Sequence, residues 1–273
     1  MAAKRDRTEP STEVTKVVPD FLMSLPDSTE TGLEDMQEYR LLSRIKVIQA
    51  MSDEGLKDQF GGEGSVVVVP AREALAGKRE PFLFVPIFGF TEFCKWSDRK
   101  DKGSNAIVDR TFNKDSELAA RARDPEKRFE GYGDLKDGKP VYQFRYVEHL
   151  NFAGLVYEQD HPLYGTPVVL SYQRGEFQTG RGFITAMGLR RRNGRQVPMW
   201  AQVWQLHSEF RDQGDRKWWG LDHSNPEQPY ILEDEVESFH ALYKELKADF
   251  EQQRIRVDRT EDDPEDVAMT DDM

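Results

Sequence analysis

Alternation of apolar and polar positions sets in at residue 44 and carries most of the chain that follows. Arg44-Ile45-Lys46-Val47-Ile48 puts Ile45 and Val47 on one face, which predicts a first strand. Ser52-Asp-Glu-Gly-Leu predicts a short helical turn with Ser52 as its N-cap. Gly61-Gly62-Glu63-Gly64 predicts a turn ahead of the β-branched run Ser65–Val69, which Pro70 ends. Those glycines fit neither a Walker A loop nor the dinucleotide fingerprint, because no Gly-Lys-Ser/Thr follows and no helix begins. From Pro81 to Trp96 the pairs Phe82/Phe84 and Phe88/Phe90 keep the two-residue spacing of a bent strand with one packed face. Val141–Tyr157, Pro167–Tyr172 and Met199–Phe210 read as further strands, and Lys217–Trp219 as the return strand of a hairpin. Leu232–Arg256 carries Val236, Phe239, Leu242, Tyr243, Leu246 and Phe250 at helical spacing, which predicts a helix docked on the core. Residues 174–189 have some helical character, opposed by Gly175, Gly180, Gly182 and Gly188.

Five or more short strands with a trailing helix predict a mainly β protein of the α+β class. An OB-like antiparallel barrel fits this pattern, although the strand count alone also suits a sandwich. The expected organisation is an acidic disordered arm (1–38), an OB-like domain (39–231), a C-terminal helix (232–257) and an acidic disordered tail (258–273). Within the domain, residues 97–140 hold many charges and little periodicity. They read as a long insertion with a helical piece at Ser116–Arg123. Its Arg99, Lys100, Lys102 and Arg110 suit either a flap over a polyanion or plain solvated surface.

The net charge of −12 is unevenly divided. Residues 258–273 hold eight acids and one arginine, and residues 1–40 hold nine acids and five bases. Removing their −7 and −4 leaves −1 for the body. Within that body residues 174–195 carry +5, so charge is segregated along the chain, as in proteins with charged partners. Apolar runs stop well short of the roughly 18 residues a membrane span needs, and Met1-Ala-Ala-Lys-Arg-Asp-Arg has no apolar region behind it. A cytoplasmic protein without a membrane partner is expected. The single cysteine, Cys94, excludes an internal disulfide and a multi-cysteine zinc site.

The cationic segment is where candidate chemistry concentrates. Arg174, Arg181, Arg190, Arg191, Arg192 and Arg195 face one acid, Glu176, and Phe177, Phe183, Trp200 and Trp204 run through the same stretch. Guanidinium groups neutralise phosphates, and flat rings give unpaired bases a stacking surface. The four rings and six arginines are therefore the expected nucleic-acid-binding residues. Arginine-rich turns are also common as solvated loops, and alternating aromatics as core.

Three further stretches carry a family resemblance. Arg44-Ile-Lys-Val-Ile-Gln-Ala-Met-Ser52, the Val168–Tyr172 strand running into Gln173-Arg174, and the acidic end resemble bacteriophage-encoded single-stranded DNA-binding proteins. The resemblance spans roughly residues 40–215 and the tail. It implies an OB-fold that coats exposed strands during phage replication, recombination or repair, in the host cytoplasm, without catalysis or cofactor. The tail is then expected to compete with nucleic acid for the basic groove and, once displaced, to engage replication or recombination proteins.

Catalytic readings are weaker. Glu148-His149, Asp160-His161 and Asp222-His223 show no His-Glu-x-x-His spacing, and Cys94 between Phe93 and Lys95 reads as a packed thiol. Asp109, Asp115 and Glu117 keep a metal-dependent nuclease open as an alternative. A second alternative is an acidic protein that imitates DNA to capture a basic partner. No catalytic residue, resident metal or cofactor is expected.

Overall fold

The computed structural model describes residues 41–97, 106–131, 135–136, 139–140, 143–214 and 216–259. The acidic arm, residues 260–273, and Arg99, Lys100 and Lys102 of the insertion lie outside the described residues.

Strand β1 (Ser43–Val47) falls where alternation places it. Helix α1 (Glu54–Phe60) is capped one residue later than expected, because Leu56 N–H donates to the Asp53 carboxylate. The Ser52 hydroxyl instead accepts from Gln49 N–H at 2.9 Å. The helix stops at Gly61, whose φ of 83° belongs to the left-handed region that a side chain resists. Strands β2 (Val66–Val69) and β3 (Glu73–Ala76) follow. All four valines of β2 are buried, which is why that strand reads as an unbroken β-branched run.

Strand β4 (Phe82–Ser97) spans 16 residues and changes register against its neighbour between Pro86 and Phe88, the bend that the phenylalanine spacing anticipates. Elements are also found among the described residues of the insertion. It contains β5 (Ala106–Thr111), α2 (Glu117–Arg123), β6 (Phe129–Glu130) and the short pair β7 (Leu135–Lys136) and β8 (Lys139–Pro140). Ser116 caps α2 by accepting from Ala119 N–H at 3.1 Å. Strands β9 (Phe144–Val156) and β10 (Pro167–Gln173) precede α3 (Phe177–Leu189), a full helix despite its glycines. A Cβ at Gly180 would lie 2.8 Å from Cβ of Tyr172, so glycine there lets the helix sit tightly on β10.

The ribbon β11 (Arg191–Arg192) and β12 (Arg195–Gln196) leads into a 3-10 turn at Met199–Ala201. Alternation predicts strand at that turn, but the buried Gln202 amide pins the chain instead. Its Nε2 donates to the carbonyls of Met187 and Val197. Strands β13 (Trp204–Gln213) and β14 (Arg216–Ser224) form the expected hairpin, and α4 (Val236–Glu251) is the expected C-terminal helix.

Ten strands join one mixed sheet in the order β14-β13-β4-β9-β10-β1-β2-β3, with β5 added beside β4 and β6 beside β9. The β1–β10 pair is parallel and the other pairs are antiparallel. Laid flat, eight strands at about 4.8 Å spacing would stretch about 34 Å across. Yet Leu75 of β3 and Trp219 and Leu221 of β14, at opposite ends, share one core with Phe82, Phe84, Phe152 and Phe183. The sheet is therefore strongly curled. Its two ends approach without a closed ladder among the described residues. Gln49 bridges them, its Nε2 donating to Trp219 O at 2.7 Å and its Oε1 accepting from Trp219 N–H at 2.9 Å. The outer face carries a second core, in which Phe239 and Leu246 of α4 cover Val85, Ile87 and Leu155. Val236, expected in that stripe, is exposed.

Candidate nucleic-acid interface

A gap in the pairing of β9 opens a cavity beside Arg174. Phe144 and Arg145 pair with β6, and His149 to Leu155 pair with β10. Tyr146 N–H still donates to Arg128 O at 2.8 Å, just ahead of β6, so the gap on that side lies at Val147 and Glu148. Tyr146, Val147 and Glu148 line a cavity of about 430 Å³, as do Arg123 of α2, Arg128 and Phe129 at β6, Arg145 of β9, Arg174 ahead of α3, and Phe177 and Gln178 in its first turn. Four arginines therefore face one lining acid, and three aromatic rings stand among them. Arg174 sits at φ 49°, a left-handed conformation costly for a side chain, which Arg72, Arg79, Asn193 and Gln253 also adopt.

The rim is wired by ionic contacts. Arg123 reaches Glu148 at 3.3 Å and lies over the Phe93 ring at 4.7 Å. Glu130 accepts from the Tyr146 hydroxyl in a short hydrogen bond and from Arg121 at 3.1 Å. The hydrogen bond from Tyr146, with Lys95 and Arg121 nearby, holds the Glu130 carboxyl below its usual range. Burial and the same hydrogen bond push the Tyr146 phenol up.

Beneath this rim the sheet buries charge. Glu92, His149 and Asn151 on β4 and β9 are essentially inaccessible. Arg259 bonds Glu92 at 2.8 Å and Asn151 at 3.1 Å, and Arg110 lies 3.6 Å from Glu92. Asp258 and Arg259 are thus buried parts of the body, and the acidic tail starts later than the expected residue 258. Neither ring nitrogen of His149 has a hydrogen-bond partner. Burial, reinforced by Arg259, Arg174, Arg44 and Arg145, drives its pKa well below the ordinary histidine value.

The sequence-derived site residues divide into three groups. Arg174 and Phe177 are in the cavity. Arg181, on α3, and Arg191, Arg192 and Arg195, on the ribbon, are exposed; the helix separating ribbon from cavity is about 20 Å long at 1.5 Å per residue. Arg190, Phe183, Trp200 and Trp204 serve the core. The Arg190 guanidinium lies 3.6 Å over Trp204 and donates to the carbonyls of Val203 and Pro229 and to Asn225. Burial pulls its pKa down to about 10. Phe183 is fully buried between Phe152 and Trp204. Trp200 is half-buried and stacks on His240 at 5.1 Å. Neither Phe183 nor Trp204 offers a face to a base in this arrangement.

Arg123, Arg128, Phe129 and Arg145 were missed because they lie in or beside the insertion, far along the chain from Arg174. Arg145, a cation between Phe144 and Tyr146 on an aromatic strand, was the available signal. Of the acids considered for a metal, Glu117 is engaged by Arg121 and Asp109 lies on β5. Among the described residues no group of three or more His, Cys, Asp or Glu is arranged to hold a metal ion. No described helix is long and apolar enough to cross a membrane.

The profile of the family described as Pam3 phage gp34-like protein matches residues 11–253. No curated protein and no solved structure matches the chain.

Proposed function

We propose that this chain, which belongs to the Pam3 phage gp34-like protein family, binds single-stranded DNA without catalysis and with little sequence preference. The observation that carries the reading is the cavity at the β9 gap, which Arg123, Arg128, Arg145 and Arg174 line together with the half-buried rings of Phe129 and Phe177, while the buried Tyr146 ring, covered by Lys95 and Arg121, forms part of the wall. Cations that hold phosphates beside rings that stack bases are the two ingredients single strands require, and each stacked base contributes about 1–3 kcal/mol. Exposed Arg181 and the ribbon arginines Arg191, Arg192 and Arg195 extend the track along α3 for a longer strand. In this reading the curled sheet is an OB-like platform elaborated by the insertion. The protein then works on phage DNA in the host cytoplasm, in replication, recombination or repair, with the acidic tail addressing proteins of those processes.

The test is fluorescence anisotropy of the full chain with single-stranded and duplex DNA over a salt series. Single strands should bind more tightly than duplex. With three or four phosphates neutralised and a slope of roughly 0.7 per phosphate, log K should fall with log salt at a slope of about −2 to −3. Absence of binding at low salt, or equal affinity for duplex, rejects the proposal.

A further inference from the structure

We infer that the cavity at the β9 gap receives a nucleotide bearing a terminal phosphomonoester, the phosphorylated end of a strand or a free nucleotide, and not only a passing stretch of backbone. This rests on the reading of that cavity as the nucleic-acid site. Its volume of about 430 Å³ falls at the small end of pockets that enclose a single small molecule, which suits one nucleotide. Its lining carries four arginines against Glu148 alone, a net of three positive charges. A backbone phosphodiester supplies one negative charge, whereas a terminal phosphate carries about −1.5 to −2 at neutral pH and offers three strong acceptor oxygens.

The positive field also continues behind the wall. Arg145 and Arg174, which line the cavity, belong with Arg44 and Arg259 to the set whose charges bear on His149. That histidine is fully buried with both ring nitrogens unpartnered, so a neutral imidazole is held where cations converge. Arg128 lines the cavity half-buried; its Nε is itself buried and has no hydrogen-bond partner, an uncompensated donor in the wall. Phe129 and Phe177, from different elements, supply the apolar walls for a base. Gln178 is the one lining amide, so the pocket is suited to tolerate any base.

Direct titration calorimetry on the full chain tests this with a short oligothymidylate carrying a 5′-phosphate, a 3′-phosphate or hydroxyls at both ends, and separately with dTMP, thymidine and inorganic phosphate. One further charge-assisted contact predicts a roughly tenfold advantage for a phosphorylated end over the hydroxyl-ended oligomer. Binding of dTMP but not thymidine points to the free nucleotide as the source, and an advantage confined to the oligomers points to the strand end; either outcome supports the phosphomonoester. Arg128→Gln, at the rim, should erase the advantage, and Arg145→Gln should do so as well. Equal affinity for phosphate- and hydroxyl-ended oligomers, with no binding of dTMP, overturns the inference while leaving single-strand binding intact. Binding of dTMP without binding of any oligomer would instead remove the proposed single-strand function and keep the phosphomonoester site.

Discussion

His149 is the residue at which packing and charge conflict most openly. It faces Glu92 across the β4–β9 ladder, is wholly enclosed, and sits among arginines that oppose its protonation. The sign of its linkage follows. The unfolded chain takes up a proton near the ordinary histidine pKa of about 6.5, while the folded chain holds the ring neutral to lower pH. Stability from this residue is therefore complete above that value and is lost as pH falls below it, by at most about 1.4 kcal/mol per pH unit. His223, whose pKa burial also lowers against the pull of Asp222, contributes with the same sign. Chemical denaturation between pH 7 and pH 5 should show His149→Asn flattening the decline relative to the natural chain. An unchanged slope would mean that His149 is not kept neutral in the fold. Arg190 shows the reverse use of charge. It reads in sequence as one more phosphate ligand, yet three hydrogen bonds and the Trp204 face assign it to holding the ribbon's base to the core.

At the scale of elements, α3 sets what the sequence reveals and what it hides. Four glycines in or just before the helix argue against it on propensity alone. They are not equivalent. Gly180 is pressed on Tyr172, while a Cβ at Gly188 would meet nothing within 4 Å. Gly188→Ala should raise stability by about 0.5–1 kcal/mol through helix propensity and lost unfolded-state freedom. Gly180→Ala should lower it despite the same propensity gain, because its methyl meets Tyr172. Thermal unfolding of the two variants checks the contrast, and equal shifts would refute the packing explanation. The elements themselves were legible wherever apolar residues recur with a strand or helix period: β1, the bent β4, β9, β10, the β13–β14 hairpin and α4 all follow from it, although the polar face of β1 (Arg44 and Lys46) is buried as well. Of the elements described in the insertion only α2 was legible, where Ser116 offers a cap. The cavity was half legible. Arg174 and Phe177 stand in the cationic run, but Arg123, Arg128, Phe129 and Arg145 join them only through the pairing of β6 with β9, a long-range register that local pattern does not encode.

For the whole molecule the separation of charge has a boundary that the structure moves. Arg259 is seated on Glu92 and Asn151 under the sheet, and Asp258 N–H donates to Leu42 O. The acids beyond it, Glu261, Asp262, Asp263, Glu265, Asp266, Asp271 and Asp272, come with no base, so their removal takes the chain from −12 to −5. Two truncations then separate the tail's electrostatics from the body's stability. Deleting residues 260–273 should leave the unfolding midpoint in place and tighten single-strand binding at low salt by about tenfold, an effect that shrinks as screening increases. Deleting 258–273 removes the buried partner of Glu92, leaving Arg110 at 3.6 Å as its remaining described ion pair, and should cost about 3–5 kcal/mol of stability. Denaturation and anisotropy on both truncated chains read the two effects apart. Weaker or unchanged affinity after loss of 260–273 would show that the acidic residues do not compete with DNA. A stable 258–273 deletion would show that the Glu92–Arg259 pair is not what anchors the C-terminal segment beneath the sheet.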